Sequence, residues 1–314
     1  LQAGVLIALG VVMLVVAQTV YGAAVNWPAM LQGNVFVASM LVGVSFISLI
    51  GTQGNKRAPG KRVTGADGVL RTWLGVHFLG TILNLSTVFM VGDRLARRAP
   101  LTTPQLLALN RGLSSAALWS PFFAAMGTCL LYAPGTRLPD LWLLSIPLCL
   151  FGLAFNWIDH RFRKSGGLDT FEGYPVNFRA LWVPSLMVVC VLTANSLLPD
   201  ISVLVLVSAL SMAVTASVIA VRRSFFQAIA TVRNFSYERL PDMYGELVLF
   251  FSTGVMAVGI SALVTQIHPT LDVIGFTPAI AIVLLAILLS LAVAGVHAIV
   301  SIVAASAIVA PLNP

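Results

Sequence analysis

The chain has 314 residues, of which 58% are hydrophobic and only 9% charged, and its formal net charge is +7. A soluble domain carries about 25% charged residues, so this composition excludes a water-soluble globular protein and points to lipid as the solvent. The basic excess reads as the marking of cytoplasmic loops, and no nucleic acid is expected as a partner.

In chain order, apolar runs long enough to cross a bilayer fall at Gln2–Tyr21, Val35–Gly51, Gly112–Tyr132, Leu141–Trp157, Ala180–Leu198, Ile201–Val221 and Leu247–Gln266, before a long stretch from Val273 to Val309. The first run has no basic segment ahead of it, so it is read as a span and not as a signal peptide. The sequence starts at Leu1 and stops just after an apolar run, so a fragment of a longer chain is one expectation. Lys56, Arg57, Lys61 and Arg62 follow the second span, Arg161, Arg163 and Lys164 the fourth, and Arg222 and Arg223 the sixth. Connections 23–34, 198–200 and 267–272 carry no Lys or Arg, so the basic set is expected inside and these outside.

Trp73–Val91 disturbs this count, because basic clusters lie on both sides of it. A re-entrant hairpin that enters and leaves on the cytoplasmic face keeps every cluster inside. Its centre contains Gly80 and Asn84, which tolerate a turn. Non-helical backbone at membrane depth must be buried in protein or line a wet cavity, so the hairpin marks a candidate site. Residues 223–242 read either as an amphipathic interfacial helix or as a plain loop linking two halves, and Lys164–Asn177 as a polar cytoplasmic linker.

Polar groups inside membranes are functional candidates by default. The hairpin tip offers Asn84, Ser86 and Thr87, and the next run offers Arg111, Ser114, Ser115 and Ser120. Pro121 removes a backbone donor and disfavours helix at Ser120, so the helix is expected to break there. A broken helix frees carbonyls that can ligate Na+ and an N-terminus that attracts an anion. Serines at a packing seam are the competing explanation for Ser114 and Ser115, and an interfacial anchor for Arg111.

"LGVHFLGTI" from Leu74 and "AGVHAIVSI" from Ala294 echo one another, which singles out His77, His297 and Ser301. Cys129, Cys149 and Cys190 sit in apolar runs without metal-ligand spacing and read as small hydrophobes. No acidic residue falls in mid-span, which disfavours a carboxylate proton relay. No nucleotide, zinc-protease or prenyl-diphosphate motif is present.

A hairpin with an Asn/Ser/Thr tip followed by a broken helix resembles the ion transporter superfamily of secondary transporters, which includes divalent anion/sodium symporters, citrate transporters, and arsenite and Na+/H+ antiporter relatives. The tip Asn84-Leu85-Ser86-Thr87 is similar in chemistry to the family's Ser-Asn-Thr signature without matching it. The resemblance implies an all-α polytopic membrane protein with about 8–10 spans, re-entrant hairpins, broken helices and inverted repeats. The first repeat would be residues 1–164, with the hairpin near 72–92 and the broken helix near 110–132. A linker over 165–178 would lead to a second repeat over 179–314, with a second hairpin and broken-helix region near 273–310.

The function expected is transport of a small anionic solute coupled to Na+ or H+, not catalysis, in a bacterial inner membrane. Asn84, Ser86, Thr87, Ser114, Ser115 and Ser120 would hold the coupling ion, and His77, Asn84, Arg111, His297 and Ser301 the solute. No cofactor beyond Na+ is expected. Lipid and solute are the expected partners, and a homodimer is an option. The alternatives are a non-transporting scaffold subunit and, behind it, an intramembrane lipid-modifying enzyme with His77 as base.

Overall fold

A backbone surrounded by hydrocarbon has to bond to itself, and this chain does so almost entirely as helix. The computed structural model describes residues 2–24, 27–28, 34–51, 63–97, 99–133, 135–162, 171–174, 182–238, 240–271 and 276–309. The basic residues Lys56, Arg57, Lys61, Arg62, Arg163 and Lys164 lie outside them, as does most of the expected linker. The side chain of Ser86 is also outside the described set.

The helices are α1 (Gln2–Tyr21), α2 (Val35–Ser45), α3 (Ser48–Gly51), α4 (Gly65–Leu83), α5 (Leu85–Ala96), α6 (Thr103–Ala117) and α7 (Ala124–Tyr132). They continue with α8 (Leu138–Phe162), α9 (Trp182–Leu197), α10 (Val203–Arg222), α11 (Phe225–Glu238), α12 (Tyr244–Leu271), α13 (Pro278–Val293) and α14 (Ala298–Val309). Two short strands, β1 (Val63–Thr64) and β2 (Glu172–Gly173), pair antiparallel with Val63 opposite Gly173.

Four stretches are long and apolar enough to cross a membrane among the described residues: Gln2–Tyr21, Leu138–Phe162, Val203–Arg222 and Leu240–Gln266. Their surfaces suit lipid. Leu143 and Leu144 on α8 are 74% and 77% exposed, and α13 buries none of its side chains. Water would not tolerate apolar faces of this extent. The remaining apolar runs form shorter helices, and the sequence spans were cut where the chain turns. The run Val35–Gly51 is interrupted at Phe46–Ile47, Gly112–Tyr132 at 118–123, and Val273–Val309 at a turn where Gly295 has φ +87°. The helix before the second interruption also starts earlier than the apolar run, at Thr103, where Thr102 and Gln105 form a reciprocal cap.

The described residues pack as two compact units. One comprises Leu1–Ser39, Gly127–Thr136 and Ser236–Pro314. In it α1 crosses α12 with backbones nearly touching: a Cβ on Gly259 would stand 2.5 Å from the Gly10 carbonyl oxygen, and one on Gly10 2.7 Å from Val255 O. Small residues allow this approach, and dispersion then holds the pair. Leu6, Met256 and Ile260 form the buried centre beside it. Asn34, just ahead of α2, docks on α12 by donating from Nδ2 to Phe250 O and Thr253 Oγ1, both at 2.9 Å.

The other unit comprises Met40–Met126 and Arg137–Phe235. Here α4 and α5 fold back on one another at Asn84. Val76 before the turn and Val91 after it share a buried cluster with Leu95 and Leu109 of α6. The open ends of the hairpin are tied to one residue. Tyr174 N donates to Thr72 Oγ1 at 2.7 Å, and Arg94 donates to the Tyr174 hydroxyl at 2.9 Å. Gln105 Nε2 also donates to Glu172 O at 2.8 Å, so β2 straps α4 and α6 together.

The expected division into repeats at 165–178 concerns internal symmetry, whereas these units are built from discontinuous segments. The paired Gly-Val-His stretches differ in local structure. His77 is inside α4, whereas His297 precedes α14 and accepts from Ile299 N at 3.3 Å.

The glycine crossing gives a direct expectation. Gly259→Val should lower unfolding stability in mixed detergent micelles by about 1–3 kcal/mol, the usual cost of overpacking. Gly152→Ala on α8, where an added Cβ meets nothing within 4 Å, should leave the unfolding midpoint unchanged or raise it.

Candidate functional site

Trp73, His77 and Thr81 of α4 lie on one stripe because they recur at helical spacing, with Asn84 ending the helix. That stripe faces α6 and the interruption after it. Trp119 Nε1 donates to His77 Nε2 at 3.0 Å. This makes Nε2 the lone-pair nitrogen and puts the imidazole proton on Nδ1. Nδ1 then donates to Ser115 Oγ at 3.0 Å, and Ser115 Oγ donates to Gly112 O at 2.8 Å. The chain of bonds closes with His77 neutral and both its nitrogens engaged.

The ring is also enclosed. Trp73 stacks on it at 4.8 Å and 7°, and Phe78 meets it edge-on at 5.0 Å. Cys149 Sγ is 4.0 Å from Nδ1 and 3.9 Å from Nε2. A sulfur equidistant from both nitrogens lines up with neither, so the pair lacks the in-plane geometry of an activated thiolate.

The interruption at 118–123 is held by side chains. Pro121 has no N–H, and the residue before it avoids helical dihedrals. Ser120 Oγ–H donates to Thr81 O, and Ser120 Oγ accepts from Phe122 N at 3.2 Å. Trp142 Nε1 donates to Trp119 O at 2.6 Å, and Asn84 Nδ2 donates to Phe122 O at 3.2 Å. Backbone groups that a regular helix would pair are bonded here across helices.

Asn84 itself has φ 51° and ψ −138°, a conformation that favours glycine. A non-glycine residue there stores strain of about 1–3 kcal/mol. The bond from its amide to Phe122 O helps to hold it. Thr87, on the first turn of α5, is fully buried, and its hydroxyl has no hydrogen-bond partner.

The expected residues therefore divide. His77 and Ser115 are bonded to each other. Asn84 and Ser120 meet at the interruption, with Thr87 nearby in sequence. Ser114 is exposed, whereas its neighbour Ser115 is buried. Arg111 is ion-paired with Asp159 at 2.6 Å, donates to Asn156 Oδ1 at 3.3 Å, and lies over the Phe155 ring at 5.4 Å. His297 and Ser301 belong to the other unit. His297 borders a cavity of about 280 Å3 lined also by Gln2, Leu6 and Val300, and Ser301 Oγ is buried without a partner.

Sequence reasoning missed Trp119, Trp142 and Thr81. The spacing of Trp73, His77 and Thr81 was readable as a helix face. No pattern in sequence connects α4 to Trp119 or Trp119 to Trp142. No group of three His, Cys, Asp or Glu side chains that could hold a metal ion occurs among the described residues.

Apolar helices exposed on their outer faces, and helix interruptions satisfied from within, define an all-α integral membrane protein. Comparisons with protein-family models, with curated proteins and with solved structures find no match to this chain.

The closed histidine chain makes a measurable claim. Trp119→Phe removes the donor to His77 Nε2 and should cost about 1–3 kcal/mol, the penalty for a buried acceptor left open. In His77→Phe the same Trp119 change should cost clearly less. A double-mutant cycle by denaturant unfolding in micelles checks this, and strictly additive effects would refute the coupling.

Proposed function

We propose that the protein is a secondary active transporter that moves a small anionic solute by alternating access, coupled to Na+ or H+. The observation that carries the proposal is the cross-link between two helix interruptions, Asn84 Nδ2 to Phe122 O, beside a buried and unpartnered Thr87 hydroxyl. Transporter sites are commonly built where interrupted helices meet, because their freed carbonyls and N-termini serve cations and anions. A strained residue maintained at such a junction is the kind of feature that accompanies function.

The hairpin α4–α5 is read here as re-entrant. The 12 residues of α5 rise only about 18 Å, short of a hydrocarbon core of about 30 Å. In this reading Asn84, Thr87 and Ser120 hold the coupling ion. Arg111, one turn before Ser115 on α6, supplies positive charge to an approaching anion only if Asp159 yields it. The proposal keeps the resemblance to the ion transporter superfamily, its inverted repeats and a bacterial inner membrane as parts of the same hypothesis.

One observation favours a second reading, a non-transporting membrane subunit. Every polar atom of His77 is satisfied within the protein, which suits a packing role. The same engagement of Nε2 supports neither a catalytic base nor a solute ligand at that residue. Under this second reading the junction at Asn84 is a structural joint.

Proteoliposome uptake separates the two. With a panel of small carboxylate and oxyanion solutes under imposed Na+ or H+ gradients, at least one should accumulate. Asn84→Ala and Thr87→Val should each reduce that uptake by about tenfold, the equivalent of one lost hydrogen bond. Absence of gradient-dependent uptake for the whole panel would favour the subunit reading.

A further inference from the structure

The end of the α9–α10 hairpin that carries Trp182 and Arg222 gathers aromatic and basic side chains. From Trp182 to the end of α11 the sequence has three arginines, Arg222, Arg223 and Arg233, and two carboxylates, Asp200 at the opposite turn of the hairpin and Glu238 at the far end of α11. Arg222 in the last turn of α10 lies over the Trp182 ring at 5.3 Å. Trp182 is 41% exposed, so this pair is at the surface and not in the core.

Helix α11 leaves directly from this end and is built the wrong way round for water. Its inner face is Ala228, which is buried, and Phe235, whose ring meets Phe46 at 4.9 Å. On the opposite face Phe226 is 83% and Ile229 52% exposed, with exposed Arg233 one turn further on. The helical positions 226, 229 and 233 fall on one line. Phe225, 67% exposed, packs its ring edge-on against Phe226 at 6.2 Å.

Two phenylalanines and an isoleucine turned outward beside three arginines fit one environment, the boundary between acyl chains and headgroups. Aromatic rings with one polar edge settle at that depth, and arginine forks pair bidentately with phosphate. We infer that Trp182, Arg222, Arg223 and Arg233, with Phe226 and Ile229, form a binding face for an anionic phospholipid of the cytoplasmic leaflet. The rings and Ile229 seat against the acyl chains, and the arginines take the headgroup phosphate. An anionic lipid is favoured over a zwitterionic one because Arg222, Arg223 and Arg233 bring three positive charges to this face, whereas a choline headgroup brings a cation of its own. The inference is independent of whether the protein transports a solute.

The test titrates the purified full chain in neutral detergent with phosphatidylglycerol, with phosphatidylcholine of the same acyl chains, and with inorganic phosphate, reading bound lipid by native mass spectrometry. Phosphatidylglycerol should bind about tenfold tighter than phosphatidylcholine or better, and 1 M NaCl should erase the difference by screening. Arg222→Gln with Arg223→Gln should weaken phosphatidylglycerol by about 25-fold, at about fivefold per arginine near an anionic surface, and weaken phosphatidylcholine, whose choline offsets its phosphate, by clearly less, so that the preference shrinks. Phe226→Ser with Ile229→Ser should weaken both lipids. Equal binding of the two lipids, a preference that survives the arginine changes, or inorganic phosphate binding as tightly as phosphatidylglycerol would each overturn the assignment. The salt arm uses the unaltered chain, so it decides the matter even if a variant does not fold.

Discussion

Hydrocarbon gives an interrupted helix no water to bond with, and the second unit is arranged around that constraint. Pro121 ends the helix that began at Thr103, and the exposed peptide groups have to find partners in protein. Phe122 O finds Asn84 at the end of α4 and Trp119 O finds Trp142 on α8, while the Ser120 hydroxyl ties the segment to Thr81 O. Residues that look like an active-site inventory in sequence are thus first of all the partners of a broken backbone. Any ion or solute at this place would have to share or replace bonds that already exist.

The same constraint explains why His77 is neutral and enclosed. An imidazole in an apolar environment must occupy both nitrogens or pay a desolvation cost. Trp119 supplies the donor for one nitrogen and Ser115 the acceptor for the other. Because Trp119 belongs to the interruption itself, the histidine also pins the non-helical segment to α4.

The first unit solves a different problem by different means. Between apolar helices in lipid there is little hydrophobic drive to associate, so close contact must come from shape. Gly10 and Gly259 remove the side chains that would keep α1 and α12 apart, and Asn34 ties the start of α2 to α12 with two hydrogen bonds. Asn34 and Asn84 are the non-glycine residues with positive φ among the described residues, and each precedes a helix and donates its amide to a backbone carbonyl. Asparagine suits both places because it tolerates the left-handed region and carries its own donor.

Much of the architecture was legible from residues alone. The length and purity of apolar runs such as Gln2–Tyr21 determined helix and membrane, because only a self-bonded backbone survives there. Pro121 determined an interruption and Asn84 a turn, since both act through local backbone sterics. What local chemistry could not determine was partnership. Whether His77 is a ligand or a packed residue depends on Trp119, and whether Arg111 is free for an anion depends on Asp159. The likeness of the two Gly-Val-His stretches also dissolves at this level, since one lies in mid-helix and the other ahead of a helix. Sequence by itself determined where the backbone would need help. Only the tertiary structure decided which side chains provide it, because hydrogen bonds between helices depend on packing geometry that no local pattern encodes.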